Sequence, residues 1–380
     1  MKINSKLSAW FAAAIVTCFL PHAGAAATLI DVGTLNGHDS ANAFSISGNG
    51  QVTGRSFSSG SPSSPRCFRT LANTALNETS DPAANVHSFL SNYFGGYIMN
   101  STGYDIEQSI SGGIEIAGEL LLYSTPRAFW YSEVGSSRSA RLLSLAYQGT
   151  SSSAAALKTG PYGSVVVGHC MANGLAQACL WAVSGTNEWL YNYGGGYFAG
   201  KNSWATDTDM NRTIGYYEYS FKFIPFIVDG QTGPKYDLPV GGGGDSAVAF
   251  GMYTSGTTTR IVGYTYEFLQ KRASLWTYTG SGNVSQVLLD KYGYQNASAQ
   301  AINDAGQIVG SVWNTSPAYV EKACFWRVSG GGGVLDDGTF NMDLVRGQKV
   351  GPSSTSSKVA GIGVNKSTGL SRGFILDHAD

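Results

Sequence analysis

The sequence predicts an all-β fold: a seven-bladed β-propeller with four-stranded antiparallel blades, its ring closed by the N-terminal strand. Three observations predict it: the composition, a motif pair that recurs seven times, and a strand missing at one end of the chain but spare at the other. Of 380 residues, 50 are Gly and 21 are Tyr, while only 13% are charged. Abundant Gly and Tyr with little charge suit strands joined by tight turns better than helices.

The repeat supplies the blade count. A β-branched or near-equivalent pair running into Gly appears as Val52-Thr53-Gly54, Ile116-Ala117-Gly118, Val166-Val167-Gly168, Thr213-Ile214-Gly215, Ile261-Val262-Gly263, Ile308-Val309-Gly310 and Val359-Ala360-Gly361. Alternating with it is a strand that runs from a basic or polar residue through a small one to a large one, as in Arg127-Ala128-Phe129-Trp130 and Lys322-Ala323-Cys324-Phe325-Trp326. One column of that strand falls at positions 68, 129, 179, 226, 274, 324 and 374, with intervals of 61, 50, 47, 48, 50 and 50. A period near 49 matches one four-stranded propeller blade. Each unit reads as strand, turn, Gly strand, hairpin, aromatic strand and a further strand. The aromatic strand is apolar on both faces, as expected between neighbouring blades.

Closure follows from the ends. The seventh unit stops at Leu376, without its fourth strand, and a matching segment, Leu29 to Leu35, precedes the first unit. Lending that segment to the last blade leaves no sheet edge open. The long first interval places an insertion at 73–88, expected as a loop between the last two strands of blade one. Pro225 in the aromatic strand of unit four is the other irregularity.

The N-terminus carries an export signal over residues 1–25. Lys2 and Lys6 precede a mostly apolar stretch of 12 residues, Ala9 to Leu20, and Ala23-Gly24-Ala25 offers small residues for cleavage. The stretch is too short to span a bilayer, which takes about 20 residues. The mature chain is therefore expected to be monomeric, without a membrane span, and secreted, periplasmic or at the cell surface. A net charge of −1 gives no case for nucleic acid or an anionic membrane as partner.

Residues 298–310 (SAQAINDAGQIVG) and 32–54 (VGTLNGHDSANAFSISGNGQVTG) resemble the HAF-repeat family of bacterial extracellular proteins. The triplet that names the family has its nearest counterpart in Arg127-Ala128-Phe129, and no copy here carries the His. The resemblance implies an exported protein built of repeats and brings no catalytic residues with it.

Candidate chemistry is sparse. Folding a hairpin about Asn173-Gly174-Leu175-Ala176 sets Cys170 opposite Cys179, so a disulfide is expected there. Cys67 and Cys324 read as buried small hydrophobes. Asp207, Asp209 and Asn211 take positions 1, 3 and 5 of a calcium-loop pattern, but Arg212 stands where the sharp turn requires Gly. Turn chemistry is the expected role, with Asn211 in the left-handed conformation and no cofactor. Tyr93, Tyr97, Tyr197 and Trp204 flank two matching Gly-rich bends and are the candidate ligand-binding residues. Function is accordingly expected to be binding of a glycan or protein at a ring face, through segments 73–97 and 192–204. The alternative is an extracellular polysaccharide hydrolase or lyase, with carboxylates at the propeller channel.

Overall fold

The computed structural model describes residues 27–185, 187–241, 245–335, 338–352 and 357–378. The expected signal peptide lies outside them. Seven antiparallel sheets follow one another along the chain, and within each the strands sit side by side in chain order, save that the N-terminal strand is the outermost of the last sheet. The first strand of every blade touches the first strands of both neighbouring blades, round to blade one against blade seven. These seven inner strands surround a central channel, and the fold is a seven-bladed β-propeller.

Ring closure occurs as the chain ends predict. Thr28–Asp31 pairs antiparallel with the last strand, Ser371–His378, in the register Leu29 to Leu376 and Ile30 to Ile375. Leu29 packs in the apolar layer between blades six and seven, and Ile30 in that between blades seven and one. Antiparallel closure of this kind pairs the edge that blade seven would otherwise expose.

The recurring glycine has a steric cause. In every blade it pairs with Ala or Gly on the inner strand: Gly54 with Ala43, Gly118 with Gly103, Gly168 with Ala154, Gly215 with Ala205, Gly263 with Ala249, Gly310 with Ala299 and Gly361 with Gly347. Directly after each of those Ala or Gly partners the inner strand has a β-bulge. The kink presses the preceding carbonyl toward the second strand. A Cβ on Gly310 would stand 2.0 Å from the Ser298 carbonyl oxygen, and one on Gly54 would stand 1.9 Å from that of Asn42. On its other side, the same glycine pairs with the counted column of the third strand, for example Gly118 with Phe129 and Gly310 with Cys324.

The third strands lie between blades. Trp181, Trp276 and Trp326 are buried, and each indole Nε1 donates to a carbonyl of the preceding blade's outer connection: Ser144, Pro239 and Asp290, all at 2.8 Å. Serines at the start of inner strands return the link. Ser101, Ser152 and Ser203 accept from the backbone amides of Cys67, Ala128 and Ala178, each at 3.0 Å. A satisfied buried bond contributes roughly 1 kcal/mol net, and leaving its donor unpaired costs more.

Blade one differs from its expected plan. Its sheet has three hydrogen-bonded strands, Ser40–Ile46, Val52–Ser58 and Ser61–Arg69. The chain from 70 to 97 is not a loop between two strands; it carries a 3-10 turn at Pro82–Ala84 and a helix at Val86–Tyr93 before entering blade two. Asn85 caps the helix by accepting from the Ser88 amide. Val86 and Leu90 then fill the space between blades one and two, beside Cys67, Ile106 and Phe129. An ion triad pins the segment: Arg69, 3% exposed, bonds Asp81 and also Glu133 of blade two at 2.6 Å. Pro225 is accommodated within Lys222–Asp229, where its carbonyl accepts from Leu238.

The expected disulfide is not formed. The hairpin turns on Asn173-Gly174 alone, so Ala172 pairs with Leu175, Cys170 with Gln177 and Cys179 with Gly168. A two-residue turn replaces the four-residue loop and leaves the cysteines diagonal rather than opposed. Cys67, Cys170, Cys179 and Cys324 are all buried free thiols.

Candidate site at the channel mouth

The bulges build the channel wall. Each pushes one inner-strand residue out of register: Phe44, Tyr104, Ala155, Thr206, Phe250, Gln300 and Gln348, one from each blade in turn. All seven line a single cavity of about 380 Å³. One backbone device thus presents seven side chains of five kinds at one height. Strand directions alternate within a blade, so the hairpins between second and third strands emerge on one face, here the upper. The turns between inner and second strands emerge on the lower face. The cavity also takes in Ser153, Trp204, His169 and Tyr216, from the upper part of the wall, and is the upper mouth.

Aromatic rings dominate one arc of this mouth. Phe44 lies 5.8 Å from Tyr104, and Arg55 stands 5.6 Å over Phe44. Trp204 stacks on Tyr216 at 5.0 Å and 25°, and Phe250 lies 5.6 Å from Tyr264. Gln300 and Gln348 supply amides on the opposite arc. Burial pushes the Tyr104 hydroxyl up in pKa, with Glu119 acting in the same direction, and burial alone raises Tyr216. Burial raises Glu119, against a hydrogen bond from Ser153 that lowers it, and burial lowers His169.

Carboxylates sit one step deeper, on the residue after the bulge. Asp105 accepts from the Leu157 amide at 2.9 Å and from the Ser45 hydroxyl at 2.5 Å. Asp207 accepts from the Met252 amide of the next blade at 2.8 Å and from its neighbour Thr208 at 2.8 Å. Both therefore tie their own blade to the following one by the same contact. Lys349, from blade seven, reaches across to Asp105 at 3.3 Å. Burial opposes its charge, but Asp105, Asp207 and Glu107 hold its pKa above the ordinary lysine value. Burial lifts the Asp207 carboxyl to about 6, with Lys349 partly offsetting it and Asp105 adding to it. Below this layer, a second cavity of about 390 Å³ opens on the lower face past Glu107, Lys158 and Asp209.

Of the residues singled out in the sequence, Trp204 reaches the mouth and three tyrosines do not. Tyr93 ends the blade-one helix, packed on Phe89 and Phe94. Tyr97 stacks on Tyr123 at 4.6 Å, at the hairpin of blade two. Tyr197 donates its hydroxyl to the Gly233 carbonyl, in a turn of blade four. Within segments 73–97 and 192–204, Val86, Leu90, Tyr193 and Phe198 pack between blades, while Tyr93, Tyr97 and Tyr197 stay exposed away from the mouth. Asp209 accepts from the amides of Asn211 and Arg212, at 2.9 and 2.6 Å, which makes it a turn residue. The left-handed residue there is Met210, at φ 80°, not Asn211. Among the described residues, no three His, Cys, Asp or Glu side chains cluster in a way that could hold a metal ion.

No family model and no curated protein matches the chain. Among solved structures it is similar to Trypanosoma rangeli sialidase in complex with the inhibitor DANA, at 7% identity and TM-score 0.43, covering 72% of this chain and 54% of that one. It is also similar to a post-proline cleaving enzyme from Rickettsia typhi, at 10% identity and TM-score 0.39, over 83% and 56% of the two chains. A third likeness is to a subtype N10 neuraminidase-like protein of A/little yellow-shouldered bat/Guatemala, at 9% identity and TM-score 0.41, over 92% and 98%. The chain thus matches only about half the length of the first two; its propeller architecture rests on its own strand pairings.

Proposed function

We propose that this protein is an exported binding module of the HAF-repeat kind, and that its upper channel mouth takes a glycan. One observation carries the reading: the bulge ring brings Phe44, Tyr104 and Phe250 to the same cavity as Trp204, Tyr216 and the amides of Gln300 and Gln348. Flat rings offer apolar area to the faces of a sugar, while amides and phenols bond its hydroxyls. The hydrolase or lyase alternative would draw on Asp105 and Asp207. Their oxygens serve backbone amides of the following blades, which favours a fastening role over acid–base work.

A glycan-array screen of the protein tests the proposal, followed by titration of any hit against Trp204→Ala and Tyr104→Ala. Binding weakened by about tenfold or more in each variant supports the site. An array without a single hit, or a hit indifferent to both substitutions, refutes it.

A further inference from the structure

Three hairpins on the upper face end in residues unsuited to the backbone they adopt. The turns Tyr123-Ser124, Ser220-Phe221 and Phe268-Leu269 have φ values of 47° and 66°, 50° and 63°, and 48° and 66°. Two successive left-handed residues make the hairpin turn that favours Asn-Gly, and blade three has Asn173-Gly174 at that place. A bulky side chain strains this conformation because its Cβ crowds the following carbonyl. Packing does not compensate, since Phe221, Phe268 and Leu269 are 99%, 84% and 98% exposed.

Phe221 crowns blade four, and Phe268 and Leu269 crown blade five, so the three project side by side from one face. Lysine on tyrosine stands behind them. Lys201 lies 4.4 Å over the Tyr219 ring, and Lys271 lies 4.2 Å over Tyr264 and 5.4 Å over Tyr266. Lys222 follows Phe221 directly and pairs with Asp245 at 3.1 Å. Of the other carboxylates nearby, Glu267 is paired by Arg272, while Glu218 accepts from the neutral Asn202 amide and keeps its charge, so Lys201 and Lys271 together outweigh it. Apolar tips backed by tyrosine and then by ammonium groups match the layers of a bilayer surface: acyl boundary, headgroup level and phosphate. A protein partner would need a continuous apolar area, whereas a bilayer takes up separate tips.

We propose that the upper face of blades four and five docks on an anionic lipid bilayer, with Phe221, Phe268 and Leu269 inserted at the acyl boundary. The whole-chain charge of −1 does not oppose this, because contact is set by the lysines near the tips. The docking stands independently of any glycan at the mouth.

The test gives blades four and five the turn of blade three, in a quadruple variant: Ser220→Asn, Phe221→Gly, Phe268→Asn and Leu269→Gly. Relief of strain keeps or raises its melting temperature. Cosedimentation with vesicles of equal phosphatidylcholine and phosphatidylglycerol should weaken by about tenfold or more, the change expected when even one such side chain loses its apolar surroundings. Wild type should also bind these vesicles more tightly than pure phosphatidylcholine. The proposal is overturned if wild type stays in the supernatant, if the variant sediments as wild type does, or if pure phosphatidylcholine serves equally well. It is equally overturned if the tips instead join two copies of the chain, seen as a dimer in sedimentation velocity that the variant abolishes.

Discussion

Replacing Gly310 by alanine tests the central packing device of this propeller. The new Cβ would lie 2.0 Å from the Ser298 carbonyl oxygen and 2.9 Å from both the Ala299 Cα and the Ser298 carbonyl carbon. All three atoms are inner-strand backbone at the bulge, and that strand touches the inner strands of blades five and seven. No flexible side chain is available to move aside, so the bulge itself must open. Overpacking against fixed neighbours costs about 1–3 kcal/mol, and this site belongs at the upper end. Gly60→Ala is the control: that glycine stands at the tip of the blade-one hairpin, with nothing within 4 Å of a Cβ. Guanidinium denaturation of both variants, followed by far-UV circular dichroism, reads the difference as a shift in midpoint at constant slope. Gly310→Ala should lose about 2–3 kcal/mol and Gly60→Ala less than about 0.5. Equal midpoints for the two would refute the steric origin of the repeated glycine.

Other substitutions probe the irregular parts. Arg69→Met leaves Asp81 and Glu133 facing one another without their buried cation, and should cost about 3–5 kcal/mol by denaturation midpoint; the double change Arg69→Met with Asp81→Leu should recover part of it. Deleting residues 28–35 removes the closing strand of blade seven, and a melting transition broadened or lowered relative to the full chain is expected in differential scanning calorimetry; an unchanged cooperative transition would count against closure. All four thiols of the described residues should react with a thiol reagent in denaturant and none without it, since each is buried and unbridged.

How much was legible follows from what each feature demands of the sequence. The glycine column could be read because a carbonyl pressed to within about 2 Å of a Cβ position tolerates one residue type only. Ring closure could be read because the last unit lacks its fourth strand and Leu29 and Ile30, apolar neighbours facing opposite sides, suit a strand covered on both faces. The bulge ring could not, because a bulge constrains the backbone and leaves the side chain free: Phe44, Ala155 and Gln300 occupy equivalent places. Nor is there a fixed offset to follow, since Phe44 precedes its glycine by ten residues and Tyr104 by fourteen as the intervening turns lengthen. The cysteine register was in the sequence all along. Asn173-Gly174 is the strongest signal for a two-residue hairpin, and extending the turn to Ala176 moved the pairing by one step on each strand. The helix at Val86–Tyr93 is too short for apolar periodicity to declare itself.

His87 and Asp207 carry opposed shifts, so their contributions to the pH response of the fold offset one another. Burial lowers His87 from 6.5 to about 4, with Arg66 and His38 adding to it. Between those values the unfolded chain binds the proton and the folded one does not, so this group's contribution is full above pH 6.5 and fades toward pH 4. Asp207 runs the other way. Its carboxyl is raised from 3.8 to about 6, so the folded chain holds the extra proton and stability falls as pH rises across nearly the same interval. Shifts of this size correspond to about 3 kcal/mol each, and the two slopes largely cancel between pH 4 and 6. Single substitutions uncover them. His87→Gln removes the His87 slope, so relative to wild type the variant should gain stability on acidification from pH 6.5 to 4. Asp207→Asn removes the Asp207 slope and should lose stability relative to wild type on the same acidification, even after the constant cost of disturbing its bond from Met252 is subtracted. Urea midpoints measured at half-unit intervals of pH separate the two. Parallel pH profiles for both variants and wild type would show that neither group titrates where its surroundings place it.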